Sequence, residues 1–335
     1  MAKVSVIGSG GWGTALGTVL DANGHEVVMY AREKELIDAF QNQHENTLFL
    51  PGIKLSEKIR ITNDIQEAIE GCGLIVVAVP TKWFRSALKE MLPYLKGKNP
   101  AIVSVTKGIE IGTLLTPDQI MAEVFADNPY DFICLSGPSH AEEVARGIPT
   151  AVTVASDNPL AAKRAQDFFM GPNFRVYTHS DVIGVELGGA LKNIIALAAG
   201  ICDGVGFGDN TKAALMTRGL SEMTRIGVAM GADPLTFAGL SGMGDLIVTC
   251  MSRHSRNRYV GDQIGKGRTL KEVLDEMVMV AEGVTTTESA HELAIKLGIE
   301  MPITNKVYNV LFKNVSPRKA VADLMEREAK AETLG

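Results

Sequence analysis

Val4-Ser5-Val6-Ile7-Gly8-Ser9-Gly10-Gly11-Trp12-Gly13-Thr14-Ala15-Leu16 is the stretch on which the fold turns. Val4 to Ile7 reads as a strand, and Thr14 begins a helical pattern that runs to Ala22. Between them Gly8, Gly10 and Gly13 fit G-x-G-x-x-G. That spacing alone is a weak signal, but after a strand and before a helix it has the context of a dinucleotide-binding turn. Gly8 allows the tight turn, Gly10 lets the backbone approach a pyrophosphate, and Gly13 lets the helix pack on the strand. The helix N-terminus then offers N–H groups and a positive dipole end to phosphates. The competing reading is a glycine-rich turn that holds no ligand.

Working outward, Glu26–Tyr30, Ile59–Ile61, Leu74–Val79, Ala101–Val105 and Phe132–Leu135 read as further strands. Glu33–Gln43 and Asp64–Glu70 are helical stretches between them. The run from Leu74 to Val79 is apolar on both faces, as a central parallel strand is. This alternation predicts an α/β, Rossmann-type doubly wound parallel sheet, which Ala151–Ala155 and Arg175–Tyr177 extend. After about residue 180 strand-like runs give way to helical patterns over Val182–Cys202, Lys212–Met230, Leu270–Val280, Thr286–Leu297 and Asn305–Val310. We therefore expect two domains, an NAD(P)-binding Rossmann-like domain at 1–180 and an all-helical substrate-binding and catalytic domain at 181–335, packed around a cleft.

Composition fits a soluble chain: 335 residues, 46% hydrophobic, 21% charged, formal net charge −6. A mildly acidic protein lacks the basic footprint of a nucleic-acid binder, so no nucleic-acid partner is expected. Cys72, Cys134, Cys202 and Cys250 form no C-x-x-C pair, which suggests free thiols in a reducing compartment. The N-terminus does not read as a signal peptide. The most apolar segment, Val182 to Ile201, is interrupted by Glu186, Lys192 and Asn193. We expect a cytoplasmic protein without membrane insertion. The Met- and Ala-rich helices of the second half offer a face for a homodimer. None of the six histidines stands in an H-E-x-x-H or Cys/His ligand spacing, so no metal is expected.

The second strand should end in the residue that reads the adenosine ribose. A carboxylate there, about 20 residues past the loop, selects NAD. Here Arg32 lies 19 positions past Gly13. A guanidinium pairs with a 2′-phosphate, which favours NADP(H) with NAD(H) as the alternative. The adjacent Glu33 is a rival ribose ligand, and a solvated helix-start arginine is the plainer reading of Arg32.

Several polar groups interrupt apolar surroundings. Lys107, in Ser104-Val105-Thr106-Lys107-Gly108-Ile109-Glu110, follows a strand and projects from its C-terminal end, where open α/β sheets bind ligands. Ser136-Gly137-Pro138-Ser139-His140-Ala141 closes the next strand with a turn that exposes N–H groups and a hydroxyl. Lys192 sits in the nearly all-apolar Glu186-Leu187-Gly188-Gly189-Ala190-Leu191-Lys192-Asn193. A lysine there is costly unless paired or used. Desolvation would lower its pKa into the range for proton transfer near neutrality, whereas a snorkelling lysine is the plainer reading. Gly188 and Gly189 suggest close approach of a cofactor. Asp245 follows Gly242-Met243-Gly244, and Arg253, Arg256 and Arg258 fall within six residues, a candidate anion grip or simply a solvated basic loop.

Taken together, Gly8 to Leu16, Lys107-Gly108-Ile109-Glu110, Ser136-Gly137-Pro138-Ser139, Gly189-Ala190-Leu191-Lys192-Asn193, Gly208-Asp209-Asn210-Thr211-Lys212-Ala213-Ala214-Leu215 and Ser255-Arg256-Asn257-Arg258 resemble the motif series of the bacterial NAD(P)-dependent glycerol-3-phosphate dehydrogenase family. They occur in family order from residue 8 onward and, with positions reaching into the 280s, cover nearly the whole chain. The resemblance implies interconversion of dihydroxyacetone phosphate and sn-glycerol 3-phosphate with NAD(P)H, in supply of phospholipid synthesis. It implies Lys192 as general acid/base, with Lys107 and Asp245 assisting. Gly137, Ser139, Ser255, Arg256 and Asn257 would join these three around the substrate. Beyond the loop from Gly8 to Gly13, Arg32, Lys107, Ala141, Arg256, Val280 and Glu282 would contact the cofactor. His140, where the family often carries an aromatic residue, and Leu48-Phe49-Leu50-Pro51-Gly52, where a tyrosine often precedes Leu-Pro, are local departures.

Two rivals stand beside this reading. One is a related two-domain dehydrogenase acting on a hydroxy acid or sugar acid, since arginine grips carboxylates as well as phosphates. The other is a catalytically retired NADPH-sensing binding protein.

Overall fold

The computed structural model describes residues 1–329, 331 and 332, and it separates into two compact units. The first comprises Met1–Thr106 and Pro117–Val182; the second takes Lys107–Thr116 and the chain from Ile183 onward.

In the first unit the elements run β1 (Lys3–Ile7), α1 (Gly11–Ala22), β2 (Glu26–Tyr30), α2 (Lys34–Gln43), β3 (Arg60–Thr62), α3 (Ile65–Ile69), β4 (Leu74–Val77), α4 (Thr81–Leu95), β5 (Ala101–Ser104), α5 (Pro117–Phe125), β6 (Asp131–Ser136), α6 (Ala141–Val144), β7 (Thr150–Ala155), α7 (Pro159–Phe169) and β8 (Phe174–His179). The strands form one sheet in the order β3-β2-β1-β4-β5-β6-β7-β8. β1, β4 and β5 are buried along nearly their whole length, which explains the continuous apolar runs in the sequence. The chain leaves β1 toward β2 on one side and later returns to place β4 on the other. This reversal of strand order opens a crevice at the carboxyl ends of β1 and β4, the usual ligand position in such sheets.

One departure from an all-parallel sheet is found: β7 runs antiparallel to β6. The connection between them carries only the short α6 and turns back instead of crossing over the sheet. The longer α7 then does cross over, so β8 is parallel to β7.

The second unit is helical: α8 (Val182–Val205), α9 (Asp209–Ala229), α10 (Asp245–Met251), α11 (Arg256–Gly265), α12 (Leu270–Asp275), α13 (Glu282–Leu297), α14 (Pro302–Phe312) and α15 (Pro317–Met325), with a 3-10 turn at Pro234–Ala238 and a π turn at Leu240–Gly244. α8 is the axis of its core, contributing Leu187, Leu191, Ile194, Leu197 and Ile201. It is long and apolar enough to cross a membrane, yet 94% of its most apolar window is buried inside the protein. Both α8 and α11 carry glycines where they cross. A Cβ on Gly200 would come within 2.0 Å of the Arg258 carbonyl oxygen, and one on Gly261 within 2.0 Å of that of Leu197. The two backbones therefore touch, which fixes the start of α11 against α8.

Two helix expectations are corrected. The pattern over Leu270–Val280 ends as a helix at Asp275, and the Val280 carbonyl is instead taken by the Arg256 guanidinium at 3.0 Å. The arginine-rich segment is a loop only in part: Arg253 lies in a turn, whereas Arg256 and Arg258 lie in a helix. Ser255 caps a helix that starts at Arg256, its hydroxyl accepting from the Arg258 N–H at 3.2 Å.

Candidate active site

In the first unit the glycine loop is built as its spacing requires. Gly8 has φ of +106°, and a Cβ there would lie 2.6 Å from the Ala78 carbonyl oxygen beyond β4. A Cβ on Gly13 would sit 2.0 Å from the Gly8 carbonyl oxygen, so α1 packs directly on the turn. Gly10, by contrast, faces open space, with nothing within 4 Å of an added Cβ. The N-terminus of α1 has no side-chain cap. Its first-turn N–H groups are left to an anion, and the cradle fits a pyrophosphate. The Trp12 indole N–H is also buried with no hydrogen-bond partner among the described residues.

The other expected cofactor and substrate residues of this unit are held in distinct ways. The Ser9 hydroxyl turns inward and donates to the Tyr30 carbonyl at 2.8 Å, tying the loop to the end of β2. Ala141 borders Gly11, its Cβ 3.8 Å from where a Gly11 Cβ would be, and the Phe49 carbonyl closes the same spot at 2.7 Å. Gly137 needs its residue type, having φ of +143° with a Cβ position 3.0 Å from Val152 Cα. Ser139 donates to the Gly137 carbonyl at 2.9 Å. Arg32 is half exposed and pairs with the Glu90 carboxylate on α4. Glu33 precedes α2 without capping it.

In the second unit, Lys107, Lys192 and Asp245 form one cluster. Asp245 opens α10 straight after the π turn, a local widening of the helix that often marks functional sites. Gly188 makes this possible, since a Cβ there would lie 2.7 Å from the Ser241 carbonyl oxygen. Close packing of α8 on the π turn, not approach of a cofactor, thus explains this glycine. Lys192 does not snorkel: it is only 6% exposed. Its Nζ donates to Asp245 Oδ1 at 2.5 Å and to Thr249 Oγ1 at 2.7 Å. Lys107 Nζ meets the other carboxylate oxygen, Oδ2, at 2.7 Å.

The electrostatics follow from burial. Desolvation pushes the Lys192 ammonium down to about 8, with the attraction of Asp245 opposing it and the charge of Lys107 reinforcing it. Burial would raise Asp245, but the charges of Lys107 and Lys192 prevail and hold its carboxyl below the ordinary range. With the lysines protonated, two ammonium groups share one carboxylate. The cluster carries a surplus positive charge, suited to an anionic ligand or to oxygen that gains charge during reaction.

Ser255, Arg256 and Asn257 stand at the start of α11. Arg256 is exposed and Ser255 is buried as the cap. Asn257 is buried and bridges backbone and side chain: its Nδ2 donates to Asn193 Oδ1 at 2.8 Å, and its Oδ1 accepts from the Gly283 N–H at 2.9 Å. Asn193 in turn donates to the Lys107 carbonyl at 3.3 Å. Val280 is joined to Arg256 as described, and Glu282 begins α13 beside Gly283.

Comparison with known proteins decides the family. Two models, described as the NAD-dependent glycerol-3-phosphate dehydrogenase N-terminus and C-terminus, match residues 3–162 and 181–322. The chain belongs to this family. It is 55% identical over 98% of its length to a glycerol-3-phosphate dehydrogenase [NAD(P)+] of Citrifermentans bemidjiense, 98% of which is covered. It is 52% identical, over 98% of its length and 95% of the relative, to one from Bacillus subtilis. The crystal structure of glycerol-3-phosphate dehydrogenase from Coxiella burnetii superposes with a TM-score of 0.93 at 38% identity, covering 97% of this chain and 99% of that one.

Within this glycerol-3-phosphate dehydrogenase framework, three residues of the site geometry escape sequence reasoning. Thr249 lies one helical turn past Asp245 and so shares its face, a spacing that was available once Asp245 was placed on a helix. Asn193, next to Lys192, stands out in the sequence only as a polar interruption of an apolar helix, which assigns it no role in the site. Asn46 is fully buried; its Nδ2 donates to the Ser9 carbonyl and to Thr14 Oγ1, both at 2.8 Å, and so braces the glycine loop. A lone asparagine among polar neighbours gives no sequence signal of that.

Proposed function

We propose that this glycerol-3-phosphate dehydrogenase reduces dihydroxyacetone phosphate to sn-glycerol 3-phosphate, with Lys192 as the proton donor. The observation that carries this reading is the buried Lys192–Asp245–Lys107 cluster with its surplus positive charge. When NAD(P)H is bound through the Gly8–Gly13 loop, it would supply the hydride for the ketone carbon.

An ammonium has three donors. Asp245 and Thr249 take two of those of Lys192, and both fix its position. The third is left for the substrate oxygen. As charge gathers there, Lys192 gives up its proton, and a lysine with a pKa of about 8 does so more readily than an ordinary one. In the reverse direction neutral Lys192 accepts the hydroxyl proton. Asp245 remains ionised and acts on Lys192, not on the substrate. Lys107 adds fixed positive charge. Arg256 is the side chain at the start of α11 exposed to grip the substrate phosphate. Asn257, Ser255, Gly137 and Ser139 complete the binding set, chiefly by holding backbone in place.

The first unit takes the cofactor through the Gly8–Gly13 loop, and Arg32 favours NADP(H). The second carries the acid/base chemistry. We read the enzyme as a cytoplasmic homodimer acting on small molecules, with no nucleic-acid partner or membrane insertion, and supplying glycerol 3-phosphate for phospholipid synthesis. The hydroxy-acid and sugar-acid alternative is not favoured, and a retired binding protein would have no use for an intact acid/base cluster.

The test follows oxidation of NADPH and of NADH by the absorbance of the reduced nicotinamide, with dihydroxyacetone phosphate and with a panel of 2-keto acids. Turnover confined to dihydroxyacetone phosphate is expected. Turnover of keto acids alone, or cofactor binding without turnover of anything, overturns the reading.

A further inference from the structure

The end of β2 carries two opposite charges where a dinucleotide-binding sheet usually presents one. Arg32 occupies the place where an acidic residue would read a ribose 2′-hydroxyl. Its guanidinium is bonded to a carboxylate, but one from far along the chain: Glu90 of α4, 58 residues away. Glu90 is held in place from a second side, by the hydroxyl of Tyr30, the last residue of β2, which donates to Glu90 Oε1 at 2.7 Å. Burial works against its charge, yet the bonds from Tyr30 and Arg32 prevail and keep the carboxyl below its ordinary range. At neutral pH this is a fixed anion in contact with the group expected to meet the 2′ position.

We propose that Glu90 sets the cofactor preference of this enzyme, neutralising Arg32 and opposing a 2′-phosphate so that cofactors with and without that phosphate are both accepted. The inference rests on the reading of Arg32 as the ribose-side residue. A 2′-phosphate can bond Arg32 only by replacing or sharing the Glu90 carboxylate, and it meets the negative charge of Glu90 in doing so. The side chains of Arg32 and Glu90 are 52% and 34% exposed, so the pair is solvated and its rupture is cheap. Glu90 therefore tempers NADPH binding without abolishing it. A cofactor with a free 2′-hydroxyl leaves the ion pair intact and finds a carboxylate acceptor beside it, the chemistry that an acidic residue at the end of β2 supplies elsewhere.

The test compares Glu90→Gln and Arg32→Ala with the parent enzyme. Gln keeps the shape and can still accept from Tyr30. For each protein the Kd of NADPH and of NADH is measured by fluorescence titration, and the ratio of kcat/KM for the two cofactors is measured at low and moderate salt. Glu90→Gln should tighten NADPH relative to NADH by about fivefold to tenfold, the scale of a released surface ion pair together with lost repulsion. The gain should shrink as salt rises. Arg32→Ala should shift the ratio toward NADH. If Arg32→Ala shifts the ratio but Glu90→Gln leaves it unchanged or moves it toward NADH, the Glu90 proposal is overturned and the reading of Arg32 stands. If Arg32→Ala leaves the ratio unchanged, the reading of Arg32 fails and the proposal with it. Because Kd is read on unreacted protein, the result does not depend on turnover.

Discussion

Asp245 and Glu90 are both carboxylates paired with cations, one with its side chain 2% exposed and the other 34%. Asp245 is itself buried, and the lysines beside it are 8% and 17% exposed, so their charges act on it with little screening. It keeps one lysine in place against a desolvation cost that still brings that lysine to about 8. Glu90 is screened by solvent, and its bond to Arg32 is an exchangeable contact. The same pairing of functional groups therefore gives a built-in reaction device when buried and an adjustable recognition contact when wet.

This contrast can be broken at several points. Lys192→Ala removes the proton donor, and kcat should fall about 10²–10⁴-fold, the usual worth of general acid–base help. Turnover within a factor of ten of the parent would show that the cluster is structural. Asp245→Asn leaves two ammonium groups without their counter-charge. Breaking a buried pair this way costs about 3–5 kcal/mol, measurable as a loss of unfolding free energy in urea. A loss below about 1 kcal/mol would mean that Asp245 behaves like an exposed partner, as Glu90 does. Ser255→Ala removes the cap of α11 and should cost about 1 kcal/mol, while raising KM for dihydroxyacetone phosphate by loosening Arg256. Glu90→Gln, the smallest effect, should change stability by less than about 1 kcal/mol. A larger loss would move this pair into the buried class and end the comparison.

The sheet was legible because its signals are local. Val4–Ile7, Leu74–Val77 and Ala101–Ser104 are apolar runs whose position between helical stretches leaves few alternatives. The antiparallel placement of β7 was not, because strand direction depends on how the chain turns after Ser136, and no residue type encodes that. Lys192 stood out because a cation in an apolar helix needs a reason. Its partner Thr249 did not, since a threonine near the apolar Ile247-Val248 run looks like ordinary helix surface or core. Gly188 was visible as an anomaly but its cause was misread: the sequence does not say that the Ser241 backbone presses against it. Arg256 was recognised as a cation, but Ser255 as its cap became clear only when the segment proved helical. Glu90 lies on α4, among residues whose pattern predicts only an amphipathic helix, so its link to Arg32 exists only in three dimensions.

The most direct test of Lys192 as a proton donor tuned by burial is the pH dependence of kcat/KM in both directions. Reduction needs protonated Lys192 and should fall as pH rises through about 8, losing tenfold for each further unit; oxidation of glycerol 3-phosphate needs the neutral amine and should rise through the same pH. Profiles that move in the same direction, or that show no inflection until the range of an ordinary lysine, would contradict it.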